Sequence, residues 1–301
     1  MIPCTDGVQI HSWLIRAPTE RWTQAPTIIF FHGNAGNIGL RLPNAFQMIQ
    51  FLTCNVLLVE YRGYGDSDSV SPSESGLKLD AEAALAFAQQ HADLDSSKLF
   101  IFGRSLGGSV AFHLAEYAAQ RNIPLAGVLV ENTYTSISRM VDVLMPFLTP
   151  IKPLVLRIGW NSAAIVPKLG GTVPLLFLAG AKDELVPHAH MIELYTAAVK
   201  ASQSGGALVQ MHIIPNGTHN ESWIQGGPAY WDAMRAFMDA ALQQPMSRIA
   251  TSTVTTTTAS AFNSADIKSS IPIMSSRFTE IAKEAVGLAN SNNNNGHKKE
   301  L

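Results

Sequence analysis

Apolar and polar positions alternate on two scales along this chain. Short unbroken apolar runs recur, and between them lie longer segments whose apolar residues return at helical spacing. Thr27 to Phe31, Asn55 to Tyr61, Leu99 to Phe102, Leu125 to Val130, Pro174 to Gly180 and Leu208 to Ile214 are strand-length stretches of the first kind, apolar throughout or nearly so, with Gln210 and His212 inside the last. A strand covered on both faces has no polar side to show, so each run predicts a fully buried strand. Leu42 to Leu52, Ser73 to Ala92, the stretch from Ser109 to Ala119 and Ala229 to Leu242 predict helices. Val8 to Ile15 instead alternates apolar and polar residues, the pattern of an outer antiparallel strand. Buried strands alternating with helices predict a mostly parallel central sheet flanked by helices, an α/β fold.

In such sheets ligands sit beyond the carboxyl ends of the strands, so the residues just past each run are the candidates for chemistry. Leu99-Phe100-Ile101-Phe102 leads into Gly103-Arg104-Ser105-Leu106-Gly107 and then into a helix. This is the G-x-S-x-G pattern in the strand-turn-helix context of a nucleophile elbow, which lifts a serine hydroxyl above the sheet. The turn is tight enough that a Cβ two residues to either side of Ser105 would collide with the strand-helix packing.

A serine needs a base, and the base needs a carboxylate to orient it. In this architecture the chain order is Ser, then Asp or Glu, then His. His219, in a Gly-Thr-His-Asn loop after the last strand, fits the base. His113 reads as packing, His188 and His190 as surface residues, and His212 as a structural residue inside a strand. Two carboxylates compete for the acid role. Asp183 follows the strand that precedes the histidine strand, and Glu131 follows the strand after the elbow; Asp183 has the usual position. The oxyanion of a tetrahedral intermediate needs donors. The Leu106 N–H, at the start of the elbow helix, is one candidate. The Asn34 N–H, in His32-Gly33-Asn34-Ala35-Gly36, is the other.

Composition narrows the remaining classes. The 301 residues are 47% hydrophobic and 15% charged with a net charge of −2, enough apolar matter for a large core and no basic surplus for nucleic acid. Two cysteines, Cys4 and Cys54, make neither a disulfide framework nor a zinc site and read as small buried residues. No apolar run of about 18 residues marks a membrane span, and no signal peptide stands at Met1.

Four motifs occur in order: Phe31-His32-Gly33-Asn34-Ala35-Gly36-Asn37, Tyr61-Arg62-Gly63-Tyr64-Gly65, Gly103-Arg104-Ser105-Leu106-Gly107-Gly108 and Glu131-Asn132-Thr133-Tyr134-Thr135-Ser136. Together they make residues from about Asp6 to Leu242 resemble the bud-emergence-protein-like α/β hydrolases. The resemblance implies the α/β-hydrolase fold, a Ser105–Asp183–His219 triad and hydrolysis of esters or thioesters. More distantly, the chain is similar to hydrolases that remove palmitate from proteins. It implies neither a metal nor an organic cofactor. Close members of the group carry a membrane anchor ahead of the domain.

The expected organisation is a hydrolase domain over residues 6–244, with a small cap at 136–169 and a low-complexity, mostly disordered tail at 245–301. The cap segment is apolar and broken by prolines, so it reads either as a packed insertion or as a lid for an acyl chain. The tail is rich in Ser, Thr and Asn, which bury too little apolar surface to offset ordering. It ends Lys298-Lys299-Glu300-Leu301, partly like a lumenal retrieval signal and partly like a dilysine signal. The chain as written is therefore expected in the cytosol, and at the endoplasmic reticulum if a leader or anchor precedes it. The expected partner is a small-molecule ester or thioester or an acylated protein, with possible peripheral membrane contact through the cap. A peptidase of the same fold and a binding scaffold are the alternatives.

Overall fold

The computed structural model describes residues 1–144, 159–203 and 206–244, all within one compact unit, Met1–Ser252. The tail at 245–301 and the middle of the expected cap, 145–158, lie outside the described residues.

Nine strands are described: β1 (Ile2–Pro3), β2 (Gln9–Ile10), β3 (Ser12–Ile15), β4 (Thr27–Phe31), β5 (Asn55–Val59), β6 (Leu99–Arg104), β7 (Gly127–Glu131), β8 (Leu175–Gly180) and β9 (Val209–Ile214). β3 through β9 form one sheet in the order β3-β5-β4-β6-β7-β8-β9, parallel throughout except for the antiparallel edge pair β3–β5. The alternating stretch Val8 to Ile15 divides: its first part pairs with β1 as a small separate hairpin, and only β3 joins the main sheet.

The helices are α1 (Leu42–Leu52), α2 (Glu74–Gln90), α3 (Leu106–Gln120), α4 (Ile137–Leu144), α5 (Ser162–Leu169), α6 (Ala189–Ser202), α7 (Ser222–Gln225) and α8 (Gly227–Gln243). Ser73, the first residue of the expected helix, is the N-cap of α2, its hydroxyl accepting the Gly76 N–H at 3.0 Å. α1 stops at Thr53, which takes the left-handed conformation at φ 51°.

β4 to β8 are covered on both faces, which is why they read as continuous apolar runs. β9, the edge strand, is only half-buried along most of its length and does not meet the expectation of full burial, since it has a neighbour on one side only. Ile29, Phe31, Leu57, Ile101, Val128 and Phe177 point to one face, packed with side chains of α2, α3, α5 and α6. Their neighbours Ile28, Phe30, Val56, Phe100, Leu129 and Leu176 point to the other, against α1 and α8. Cys4 and Cys54 are buried free thiols. Burial pushes the Cys54 thiol up to about 12.

Register decides where the strands end. Phe31 lies opposite Gly103, Arg104 opposite Glu131, Glu131 opposite Leu178, and Gly180 opposite Ile214. The segments that follow β4, β6, β7, β8 and β9 therefore emerge side by side at one edge. Within 136–169, the described helix α5 packs on α3 and α6, with the Ser109 and Ser162 hydroxyls 3.0 Å apart. The Glu74 carboxylate holds the chain returning to it by accepting the Gly159 N–H (2.7 Å) and the Trp160 N–H (3.2 Å). No described helix is long and apolar enough to cross a membrane.

α8 supplies Tyr230, Trp231, Met234, Phe237 and Met238 to the second core and completes it. A chain ending at Gln244 is therefore expected to keep the melting temperature and the hydrolytic rate of the full chain. Thermal unfolding and turnover measured side by side check this, and a lower value of either gives the tail a role.

Candidate active site

Ser105 stands between β6 and α3 with φ 54° and ψ −119°. A non-glycine residue held there stores roughly 1–3 kcal/mol of strain and persists only where its surroundings enforce it. They do so through the backbone: the Ser105 N–H donates to the Glu131 carbonyl at 3.0 Å, and the Ser105 carbonyl accepts from Gly108 N–H (2.9 Å) and the Thr133 hydroxyl (2.7 Å). A Cβ at Gly103 would run into the Gly107 carbonyl, and one at Gly107 into that of Phe31. This close packing leaves the Ser105 side chain half-buried at the edge of the sheet.

His219 follows β9, and its side chain is 6% exposed. Its Nδ1 lies 2.8 Å from Asp183 Oδ2 and 3.1 Å from Oδ1. A carboxylate accepts, so Nδ1 carries the donated proton, and in the neutral ring the lone pair is on Nε2. Asp183 is fixed by its own turn, Oδ1 accepting the Leu185 and Val186 N–H groups at 2.8 Å each. The His219 N–H donates to Glu184 Oε2 at 3.2 Å, which ties the histidine loop to the same turn.

Glu131 is occupied elsewhere. It is fully buried, accepts from Arg104 Nε at 2.8 Å and from Arg104 Nη2 at 3.3 Å, and takes a short hydrogen bond from the Tyr230 hydroxyl. Of the two carboxylates weighed from the sequence, the structure brings Asp183 to His219.

The loop after β4 passes over the elbow: a Cβ at Gly33 would sit 3.5 Å from the Cβ of Ser105. Asn34 is in that loop, its carbonyl accepting the Tyr64 hydroxyl at 2.8 Å. Leu106 is the first residue of α3, where an N–H has no helical acceptor and the helix dipole favours negative charge. Leu106 follows Ser105 directly, and Asn34 follows Gly33, the residue whose backbone approaches the serine.

The remaining histidines divide. His113 packs against Glu82, with Nε2 3.1 Å from Oε1. His212 lies in β9, and burial lowers its pKa. His190 corrects the surface expectation. It is buried, its Nδ1 is 2.8 Å from the Thr135 hydroxyl, and burial first, then the Arg139 charge, lowers its pKa. The reason is α6, a helix not anticipated from the sequence, which carries His190, Met191, Leu194 and Ala198 on its buried face. His188, the N-cap of α6, is half-buried.

One residue of the site was legible only as part of a motif. Asn132 is 1% exposed, has φ 49°, and joins three strand ends. Its Nδ2 donates to the carbonyls of Thr218 (3.1 Å) and His219 (3.0 Å) and to Ser222 Oγ (3.0 Å), while its Oδ1 accepts the Gly180 N–H (2.8 Å). Among the described residues, no group of three His, Cys, Asp or Glu side chains is placed to hold a metal ion.

Residues 26–146 match a family model described as the alpha/beta hydrolase fold. The alpha/beta hydrolase domain-containing protein WAV2 of Arabidopsis thaliana is 37% identical over 246 residues, 78% of this chain and 76% of that protein. Protein bem46 of Schizosaccharomyces pombe is 35% identical over 233 residues, 77% and 73% of the two chains. Among solved structures, the esterase Pf2001 of Pyrococcus furiosus superposes with a TM-score of 0.62 at 16% identity, covering 80% of this chain and 89% of its own. An alpha-beta hydrolase from Vibrio vulnificus gives 0.57 at 24% identity, over 70% and 73%.

Proposed function

The chain belongs to the bem46 family of α/β hydrolases, and within that family we propose that it is a serine hydrolase cleaving carboxylic ester or thioester bonds through an acyl-enzyme. The observation that carries this reading is the Asp183–His219 hydrogen bond at 2.8 Å, on the sheet edge where Ser105 is held at positive φ.

Ser105 Oγ attacks the acyl carbonyl as its proton passes to His219 Nε2. Asp183 orients the imidazole and stabilises the imidazolium that forms. The Leu106 and Asn34 N–H groups take up the negative charge on the carbonyl oxygen. His219 then delivers the proton to the departing alcohol or thiol, leaving the acyl group on Ser105. Water, activated by the same histidine, releases the acid and restores the serine.

A panel of p-nitrophenyl esters run against aminoacyl anilides tests the bond class. Ester turnover with inert anilides is expected, and labelling of Ser105 by a fluorophosphonate should accompany it. Turnover of anilides alone makes the protein a peptidase, while absence of both turnover and labelling makes it a scaffold.

Met140, Val141 and Trp160, apolar residues of the described parts of 136–169, are the candidates for contact with the acyl group. If they line an acyl site, catalytic efficiency rises with chain length by up to about 0.8 kcal/mol per methylene buried, roughly four-fold per carbon, until the chain outgrows the pocket. Equal efficiency from acetate to dodecanoate would leave that segment without a part in acyl recognition.

A further inference from the structure

The turn after β5 grips the loop that carries Asn34, and its central group is a buried acid that the triad chemistry does not use. Glu60 is 1% exposed. Its Oε2 accepts the Ile38 N–H at 3.0 Å, and its Oε1 lies 3.0 Å from Nε2 of His32, a side chain that is itself fully buried. That second approach is close but off the line of a good hydrogen bond. One carboxylate thereby touches both ends of the loop, His32 where it leaves β4 and Ile38 where it closes.

The effect reaches Asn34 through one peptide group. His32 Nδ1 lies 2.7 Å from the Gly33 carbonyl oxygen, which can only accept, so Nδ1–H donates. In a planar trans peptide the carbonyl and the following N–H point in opposite directions. Holding the Gly33 carbonyl toward His32 therefore turns the Asn34 N–H the other way. Two hydroxyls pin the flanking carbonyls, Tyr61 on His32 (2.9 Å) and Tyr64 on Asn34 (2.8 Å). The His32 ring packs against both tyrosines, with centroids 4.4 Å and 5.5 Å away.

We propose that Glu60 is a positioning residue for the oxyanion loop: by accepting the Ile38 N–H and lying against His32 Nε2, it sets the direction of the Asn34 N–H. The proposal rests on the serine-hydrolase reading of the site. It assigns the motif around Tyr61-Arg62-Gly63-Tyr64-Gly65 a task in catalysis without contact with substrate.

Two variants separate reach from charge. Glu60→Asp keeps the carboxylate but draws it back by about 1.5 Å, the length of one C–C bond, so it cannot brace both partners. Glu60→Gln keeps the reach: its carbonyl can accept the Ile38 N–H, and its amide can donate to His32 Nε2. The readout is the ratio of kcat/KM for matched oxo- and thionoesters, because sulfur is a poor acceptor and draws little from oxyanion donors.

Glu60→Asp is expected to lower kcat on the oxoester by about 10- to 100-fold with KM nearly unchanged, and to lower the oxo/thiono ratio by a similar factor. Glu60→Gln should stay within about three-fold of the parent protein on both counts. A folded Glu60→Asp protein with the parent ratio overturns the proposal. So does a folded Glu60→Gln protein that loses the ratio, which decides the matter even if the aspartate variant does not fold. Persistent turnover in a Ser105→Ala control would instead strike the serine-hydrolase reading itself.

Discussion

Ser105→Ala is expected to lower ester turnover by about 10⁴-fold or more while leaving the fold intact. In a triad the nucleophile and base act as a unit, so loss of the attacking oxygen removes nearly all that the triad contributes. What remains is binding and the oxyanion donors. Stability should change by less than about 1 kcal/mol, because the serine is held through its backbone N–H and carbonyl, which alanine retains. Ser105→Gly should be equally inactive but somewhat the more stable, since glycine adopts φ 54° without the penalty that a Cβ imposes. Turnover, fluorophosphonate labelling and thermal unfolding on the three proteins check both parts. A folded alanine variant with full turnover would remove Ser105 from the mechanism.

The second large effect separates two buried carboxylates by what each one holds. Asp183→Asn is expected to cost about 10⁴-fold in kcat with little loss of stability. An amide can accept the Leu185 and Val186 N–H groups much as the carboxylate does, so the turn survives. It can also donate to His219 Nδ1, which inverts the tautomer and leaves Nε2 protonated and useless as a base. Glu131→Gln should do the reverse. It leaves the Arg104 charge buried without its counterion, which costs on the order of 3 kcal/mol. For a domain of this size that is roughly a 6–12 °C fall in melting temperature. Activity of the folded fraction should stay within several-fold of the parent protein, since Glu131 does not touch His219. Paired melting curves and kcat values are the measurement, and the opposite ranking in kcat would move the acid role to Glu131.

The parallel sheet was legible because β4 to β8 are buried on two faces, and double burial leaves an unbroken apolar run for each. The elbow was legible because its constraints are local: two glycines, a serine between them, a strand before and a helix after. α6 carried a readable stripe in Met191, Leu194 and Ala198, yet its start just past the Asp183 turn left His190 among apparent surface residues.

Partnerships across the sheet were another matter. Glu131 ends one buried strand and Asp183 follows another, and nothing within either segment distinguishes their roles. Arg104, directly opposite on β6, and Tyr230, from a helix 99 residues further along the chain, claim Glu131. The turn of Asp183 is laid against the histidine loop because β8 and β9 are neighbours. Asn132 and Glu60 belong to the same class: each is one polar residue at a strand end, and its meaning lies in the carbonyls, amides and imidazole brought to it by distant segments. The sequence alone determined the buried strands, the helices α1, α2, α3 and α8 and the serine turn, since burial pattern and turn sterics act within a few residues. Only the tertiary structure decided which polar groups meet, because hydrogen bonds and ion pairs across a sheet depend on strand order and register, which join residues far apart in the chain.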